Sequence, residues 1–147
     1  MDRLGRKTIQ NLGFAMMAVC FALLAFIPGI ETKVTPFLLI FGLSFFFTEF
    51  GPNATTFVYP SEIFPVRVRT TAHGVAAALG KLGGFLGVFL FPYLMHWKGL
   101  FAAESAAGLA SAAGFILTVF TLPEPKGKSL EELSQEPSTP AERAEAA

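Results

Sequence analysis

Four long apolar runs, divided by short clusters of charge, organise this chain. Residues 8–30 contain no Asp, Glu, Lys or Arg. Residues 34–57 hold only Glu49, residues 70–95 only Lys81 beside His73, and residues 99–123 only Glu104. Each run is longer than the ~20 residues a helix needs to cross hydrocarbon. The pattern predicts an all-α membrane protein with four transmembrane helices, at about 8–28, 36–59, 71–94 and 101–122. Pro28-Gly29 closes the first, and Pro36 stands near the start of the second.

Composition agrees with that reading. The 147 residues are 52% hydrophobic and 15% charged, with 17 Phe, where a soluble domain carries about 25% charge. The mean hydropathy is +0.54. Net charge is zero, so nucleic acid is not an expected partner and membrane lipid is. Cys20, the sole cysteine, cannot form an internal disulfide and is expected to be a small packing residue.

The basic residues fix an orientation. Arg3, Arg6 and Lys7 precede the first run, Arg67 and Arg69 separate the second and third, and Lys126, Lys128 and Arg143 follow the fourth. Only Lys33 and Lys98 lie in the alternate turns. The positive-inside rule then predicts a multi-pass protein of the cell membrane with both termini cytoplasmic. Tyr93 and Trp97 sit by the outer turn, where amphipathic rings favour the interface. The N-terminal run is too long for the apolar core of a signal peptide and has no clean small-x-small cleavage site, so it is expected to remain as a span. Residues 135–147 are Glu-, Ser- and Pro-rich and are expected to be a disordered cytoplasmic tail.

Candidate chemistry concentrates in the second and third spans. Gly51, Pro52 and Asn53 are expected to break the second, because Pro52 lacks an N–H and leaves the carbonyl near residue 48 without a donor. Glu49, Asn53 and Thr56, spaced i, i+4, i+7, share one helical face. Asn53 is suited to hydrogen-bond a solute or a neighbouring helix. Lys81 lies too deep to snorkel and needs a carboxylate, a bound anion or a wet cavity. Glu49 is then its structural partner or, alternatively, a proton carrier. From the shared loop, Asn53 and Lys81 lie ~10 and ~15 Å deep at ~1.5 Å per residue, so they are expected to face one cavity.

Other features receive blander expectations. The first span has no polar face and is expected to pack or face lipid. Gly80 with Gly84, and Gly83 with Gly87, are i,i+4 pairs expected to admit a close helix, as is the small pattern Ala107, Gly108, Ser111, Ala112 in the fourth. Phe45–Phe47 suit lipid. Glu104 is expected to snorkel outward with no role, and His73 to be an interfacial hydrogen bonder. Glu62, Arg67 and Arg69 form a short charged loop with the look of a latch, Glu62 being expected to pair with Arg6, Arg3 or Arg69. No catalytic constellation, metal-ligand spacing or phosphate-cradling loop is present, so neither enzyme activity nor a cofactor is expected.

Several motifs carry a resemblance. Asp2-Arg3-Leu4-Gly5-Arg6-Lys7 resembles the D-R-x-G-R-K loop of the major facilitator superfamily. PSEIFPVRVR at residues 60–69 and PEPKGKSLEE at 123–132 resemble motifs of its sugar porters and their relatives. FGPNATTF at 50–57, TAHG at 71–74 and GKLG at 80–83 are similar to the phosphate:proton symporters within that group. The resemblance covers residues 1–134 and implies helices nine to twelve of a twelve-helix fold. It implies that Asn53 belongs to a phosphate site, that Lys81 lies near it, and that Asp2, Arg3, Arg6, Glu62 and Arg69 form the cytoplasmic gate. It assigns no clear role to Glu49, which the residue reading groups with the other two as substrate-binding. The expected function is proton-coupled uptake of a small anion, phosphate first, with the missing N-terminal helices of the carrier as partner. A sugar or organic-acid transporter fragment, or a truncated remnant without transport of its own, are the alternatives.

Overall fold

A computed structural model describes residues 5–64 and 66–122. The motif residues Asp2 and Arg3, the 123–132 motif and the tail at 135–147 lie outside them. The described residues are helical, with no strand among them. Helix α1 spans Arg6–Phe26. A single 3₁₀ turn, Ile30–Thr32, leads into α2, Val34–Thr48. A π-helical segment, Glu49–Asn53, joins α2 to α3, Ala54–Ile63. Helix α4 covers Val66–Thr121. Three stretches, Arg6–Phe26, Val34–Ile63 and Arg67–Thr121, are long and apolar enough to cross a membrane.

Helix α4 is not one straight rod. At ~1.5 Å per residue its 56 residues would run ~84 Å, far beyond a bilayer's hydrocarbon. It is interrupted by Lys98 (φ −140°, ψ 24°) and Gly99 (φ 63°, ψ −154°), the latter in a region essentially restricted to glycine. Side-chain pairings give the direction of each half. Phe26 meets Phe101 with ring centroids 5.5 Å apart. Gly108 lies by Ala18 and Phe21, and Gly114 by the Phe14 ring. Gln10 donates to Thr118 Oγ1 at 2.9 Å, and the Lys7 ammonium to the Val119 carbonyl at 2.8 Å. Residues 100–121 therefore run antiparallel to α1. On the other half, Phe57 of α3 approaches His73 at 6.1 Å.

Helix α1 is the hub and touches every other helix, so of the two roles expected for it, packing or facing lipid, packing is the one seen. Its tightest crossing is with the π segment. A Cβ on Gly13 would stand 2.7 Å from Gly51 Cα and 2.7 Å from Pro52 Cδ. Only two glycines allow the backbones that close. By contrast, a Cβ on Gly74, Gly80, Gly83, Gly84 or Gly87 would meet nothing within 4 Å among the described residues. The expected close approach on those glycines is absent; the small pattern that does pack is Gly108 and Ser111, the latter 3% exposed.

The Gly-Pro-Asn triplet does not break the helix. The chain stays helical from Val34 to Ile63 by widening one turn. The Ala54 N–H reaches the Glu49 carbonyl, five residues back, so the backbone steps past the N–H that Pro52 lacks. Thr55 Oγ1 donates to the Gly51 carbonyl at 3.0 Å, and Thr56 Oγ1 to the Pro52 carbonyl at 2.7 Å. Hydroxyls thus cover carbonyls that a membrane would leave dry. The expected charged loop also contracts: Glu62 is in the last turn of α3, and Arg67 and Arg69 are in the first turns of α4.

Candidate functional site

The π turn aims one face of the second helical stretch at α4. Between them runs a groove of about 530 Å³. Thr48, Glu49, Asn53 and Thr56 line one wall, and His73, Ala77 and Lys81 line the other. The three residues singled out as substrate-binding, Glu49, Asn53 and Lys81, therefore come together. Thr56, placed on the same face by its spacing, lies there too. Gly80 and Gly84 form part of the α4 wall, so their missing side chains widen the groove rather than admit a helix.

The polar contacts within it are specific. Asn53 Nδ2 donates to Glu49 Oε2 at 2.6 Å. That bond fixes the amide and leaves the Asn53 carbonyl oxygen and the second Nδ2 hydrogen for another partner. Lys81 has no hydrogen bond or ion pair among the described residues, so the structural pairing of Lys81 with Glu49 is not formed. The groove presents an ammonium, an oriented amide and a carboxylate on walls otherwise made by Thr48, Pro52, Thr56, Phe57, His73, Ala77 and glycine. Such a set suits a small anion: the ammonium supplies charge and the amide supplies direction. His73 was expected to be a hydrogen bonder. It makes no such bond among the described residues; its ring sits tilted at 42° to Phe57, at one end of the groove.

A second polar cluster lies at the other end of α3. Arg6 donates through Nε and Nη2 to Glu62 Oε1, at 3.1 and 2.8 Å. Of the partners expected for Glu62, Arg6 meets it, and Arg3 lies outside the described residues. Arg69 instead donates to the Phe64 carbonyl at 3.2 Å. Glu62 Oε2 is buried without a hydrogen bond among the described residues. The pair ties the start of α1 to the end of α3, and Gly13 and Gly51 tie the same two stretches about two turns deeper. The site and the charged cluster are thus braced by one helix.

Two features escaped the sequence reading. The π turn is one, because a proline inside an apolar run reads as a break. Glu104 is the other. It does not snorkel: it is 4% exposed, on the face of residues 100–121 turned to α1. Its distance from the helix end was legible, its direction was not. Cys20, at 1% exposure, is the small packing residue expected.

Comparison with known proteins adds a family context. A family model described as sugar (and other) transporter matches residues 1–136. The chain is similar to a probable inorganic phosphate transporter 1-6 of Arabidopsis thaliana, 45% identical over 139 residues. It is similar, also at 45% over 139 residues, to a putative inorganic phosphate transporter 1-13 of Oryza sativa subsp. japonica. Inorganic phosphate transporter 1-1 of Arabidopsis thaliana is 41% identical over 151 residues. Each match takes in 92% of this chain but only 27%, 27% and 29% of those relatives' own lengths.

Proposed function

Because the chain belongs to the sugar (and other) transporter family, we propose that it forms part of a membrane carrier for inorganic phosphate, moved together with protons. Its role is passage rather than catalysis. Four helical stretches, with residues 66–97 and 100–121 counted separately, cross the cell membrane with the Arg6–Glu62 end in the cytoplasm. They stand as the last third of a twelve-helix carrier. The observation that carries the reading is the groove in which Lys81, without an ion pair among the described residues, lines the wall across from Asn53. Relatives named as phosphate transporters support the choice of anion.

Glu49 gives the groove a reason to move protons. A phosphate held by Lys81 and Asn53 shares the space with the Glu49 carboxylate. Two like charges ~4 Å apart repel by ~4 kcal/mol at an effective dielectric of 20. A proton accompanying the anion removes that repulsion, so the two travel together. The Arg6–Glu62 pair closes the cytoplasmic end of the same helices in one state of the carrier.

The test is a graft. Residues 1–136 replace the matching segment of the Arabidopsis relative, and the hybrid is reconstituted in proteoliposomes. Uptake of radiolabelled phosphate driven by an inward proton gradient is the expected result. Glu49→Gln should retain phosphate binding while losing stimulation by that gradient. A hybrid that folds and inserts but transports no phosphate overturns the reading.

A further inference from the structure

A second groove, of about 450 Å³, lies between α1 and residues 100–121 and shares no lining residue with the first. Its walls are Ala18 and Ala22 on α1, and Gly108, Leu109 and Ala112 on α4. Phe26 and Phe101, packed edge to face at 83°, stand at one end. Against these walls sit two polar groups without partners. Glu104 is 4% exposed and has no hydrogen bond or ion pair among the described residues. Ser105 Oγ is buried and equally unpartnered. Other hydroxyls of this helix do not behave so: Ser111 bonds the Ala107 carbonyl at 2.9 Å and Thr118 the Gly114 carbonyl at 2.8 Å. An acidic residue inside an apolar span is costly and calls for a partner.

We propose that this groove binds the head of a long-chain primary alkylammonium drawn from the bilayer. The ammonium donates to the Glu104 carboxylate, answering that unpaired acid with a cation. Phe26 and Phe101 add aromatic surface of the kind that attracts ammonium groups. The hydrocarbon chain lies along Ala22, Leu109 and Ala112, beside the packed crossing of Gly108 and Ala18. Glu104 stands five residues beyond Gly99, ~8 Å along the helix from the turn. That depth suits a head just below the interface with its tail in the hydrocarbon. A neutral alcohol fits the walls but leaves the carboxylate uncompensated, so charge sets the preference. The membrane is the source, because the groove is almost wholly apolar and runs along two helices of membrane length.

Radiolabelled dodecylamine binding to the 147-residue chain in phosphatidylcholine nanodiscs tests this. Saturable, stoichiometric binding above the linear partition into empty nanodiscs is expected, with dodecanol a poor competitor. Glu104→Gln should weaken binding about tenfold or more. Ala112→Phe, which fills the groove, should abolish it, and both variants should keep the far-UV helix signal. Linear partition alone overturns the proposal, as does equal affinity in Glu104→Gln or equal competition by dodecanol. Loss of helix in Glu104→Gln also overturns it, since the carboxyl then serves folding.

Discussion

Single residues decide whether the groove exists. Gly13 and Gly51 meet backbone to backbone, so even one methyl group at residue 13 forces the π segment away from α1. Overpacking of that kind typically costs about 1–3 kcal/mol. Gly13→Ala should therefore lower the thermal unfolding midpoint in detergent, while Gly83→Ala, whose new methyl meets open space, should leave it unchanged. Equal midpoints for wild type and Gly13→Ala would contradict the crossing. Both glycines sit in apolar runs, and their sequence spacing gave no sign of which would matter. The i,i+4 rule marks a face as small; it does not say whether another helix covers that face. Glu104 failed to be legible for the same reason. By contrast, Glu49, Asn53 and Thr56 were legible because helical periodicity fixes a shared face, and Lys81 because a lone charge in an apolar run has few places to go.

At the scale of elements, the apolar runs were enough to indicate an all-helical chain with long apolar helices, but not the way the chain passes Pro52 or turns at Lys98. A proline interior to a helix removes one N–H, and the sequence alone suggests a break. Thr55 and Thr56, one turn on, supply hydroxyls that make the wider π turn tolerable. The reversal after residue 97 depends on Gly99, whose φ of 63° and ψ of −154° other residues avoid. Placing a side chain in such a region costs on the order of 1–3 kcal/mol. Gly99→Ala should thus destabilise the pairing of residues 100–121 with α1. Faster amide exchange in that stretch would register the loss, and unchanged protection would contradict it. The Arg6–Glu62 pair is a smaller effect. Partly exposed pairs contribute ~0.2–1 kcal/mol, enough to bias two nearly balanced carrier states. Glu62→Gln in the grafted carrier should raise the population open on that side. An unchanged interspin distance distribution across the Arg6 end would count against the latch.

At the scale of the whole molecule, the hub helix α1 lines one of two unlike grooves, and the other lies between the second helical stretch and α4. The groove at the π turn carries an amide, an ammonium and a carboxylate; the one on α1 is mostly apolar, with the Glu104 carboxyl in its lining. Topology sets what each can meet. In the proposed orientation Lys33 and Arg67 lie on opposite sides of the membrane, so cysteines at those positions should react with an impermeant maleimide from opposite sides. Labelling of both from one side would overturn the four-crossing arrangement. Under the proposed reading the first groove gains a further wall within a complete carrier, which is why transport is tested in the grafted protein. Within that frame the central claim is that Asn53 and Lys81 hold phosphate. Equilibrium phosphate binding to the grafted carrier and its variants tests it most directly. Removing a hydrogen bond to a charged ligand costs ~1.5–3 kcal/mol, or about ten- to a hundredfold in affinity. Asn53→Ala is predicted to weaken phosphate binding by that factor, and Lys81→Ala by at least as much. Wild-type affinity in both variants would contradict the account.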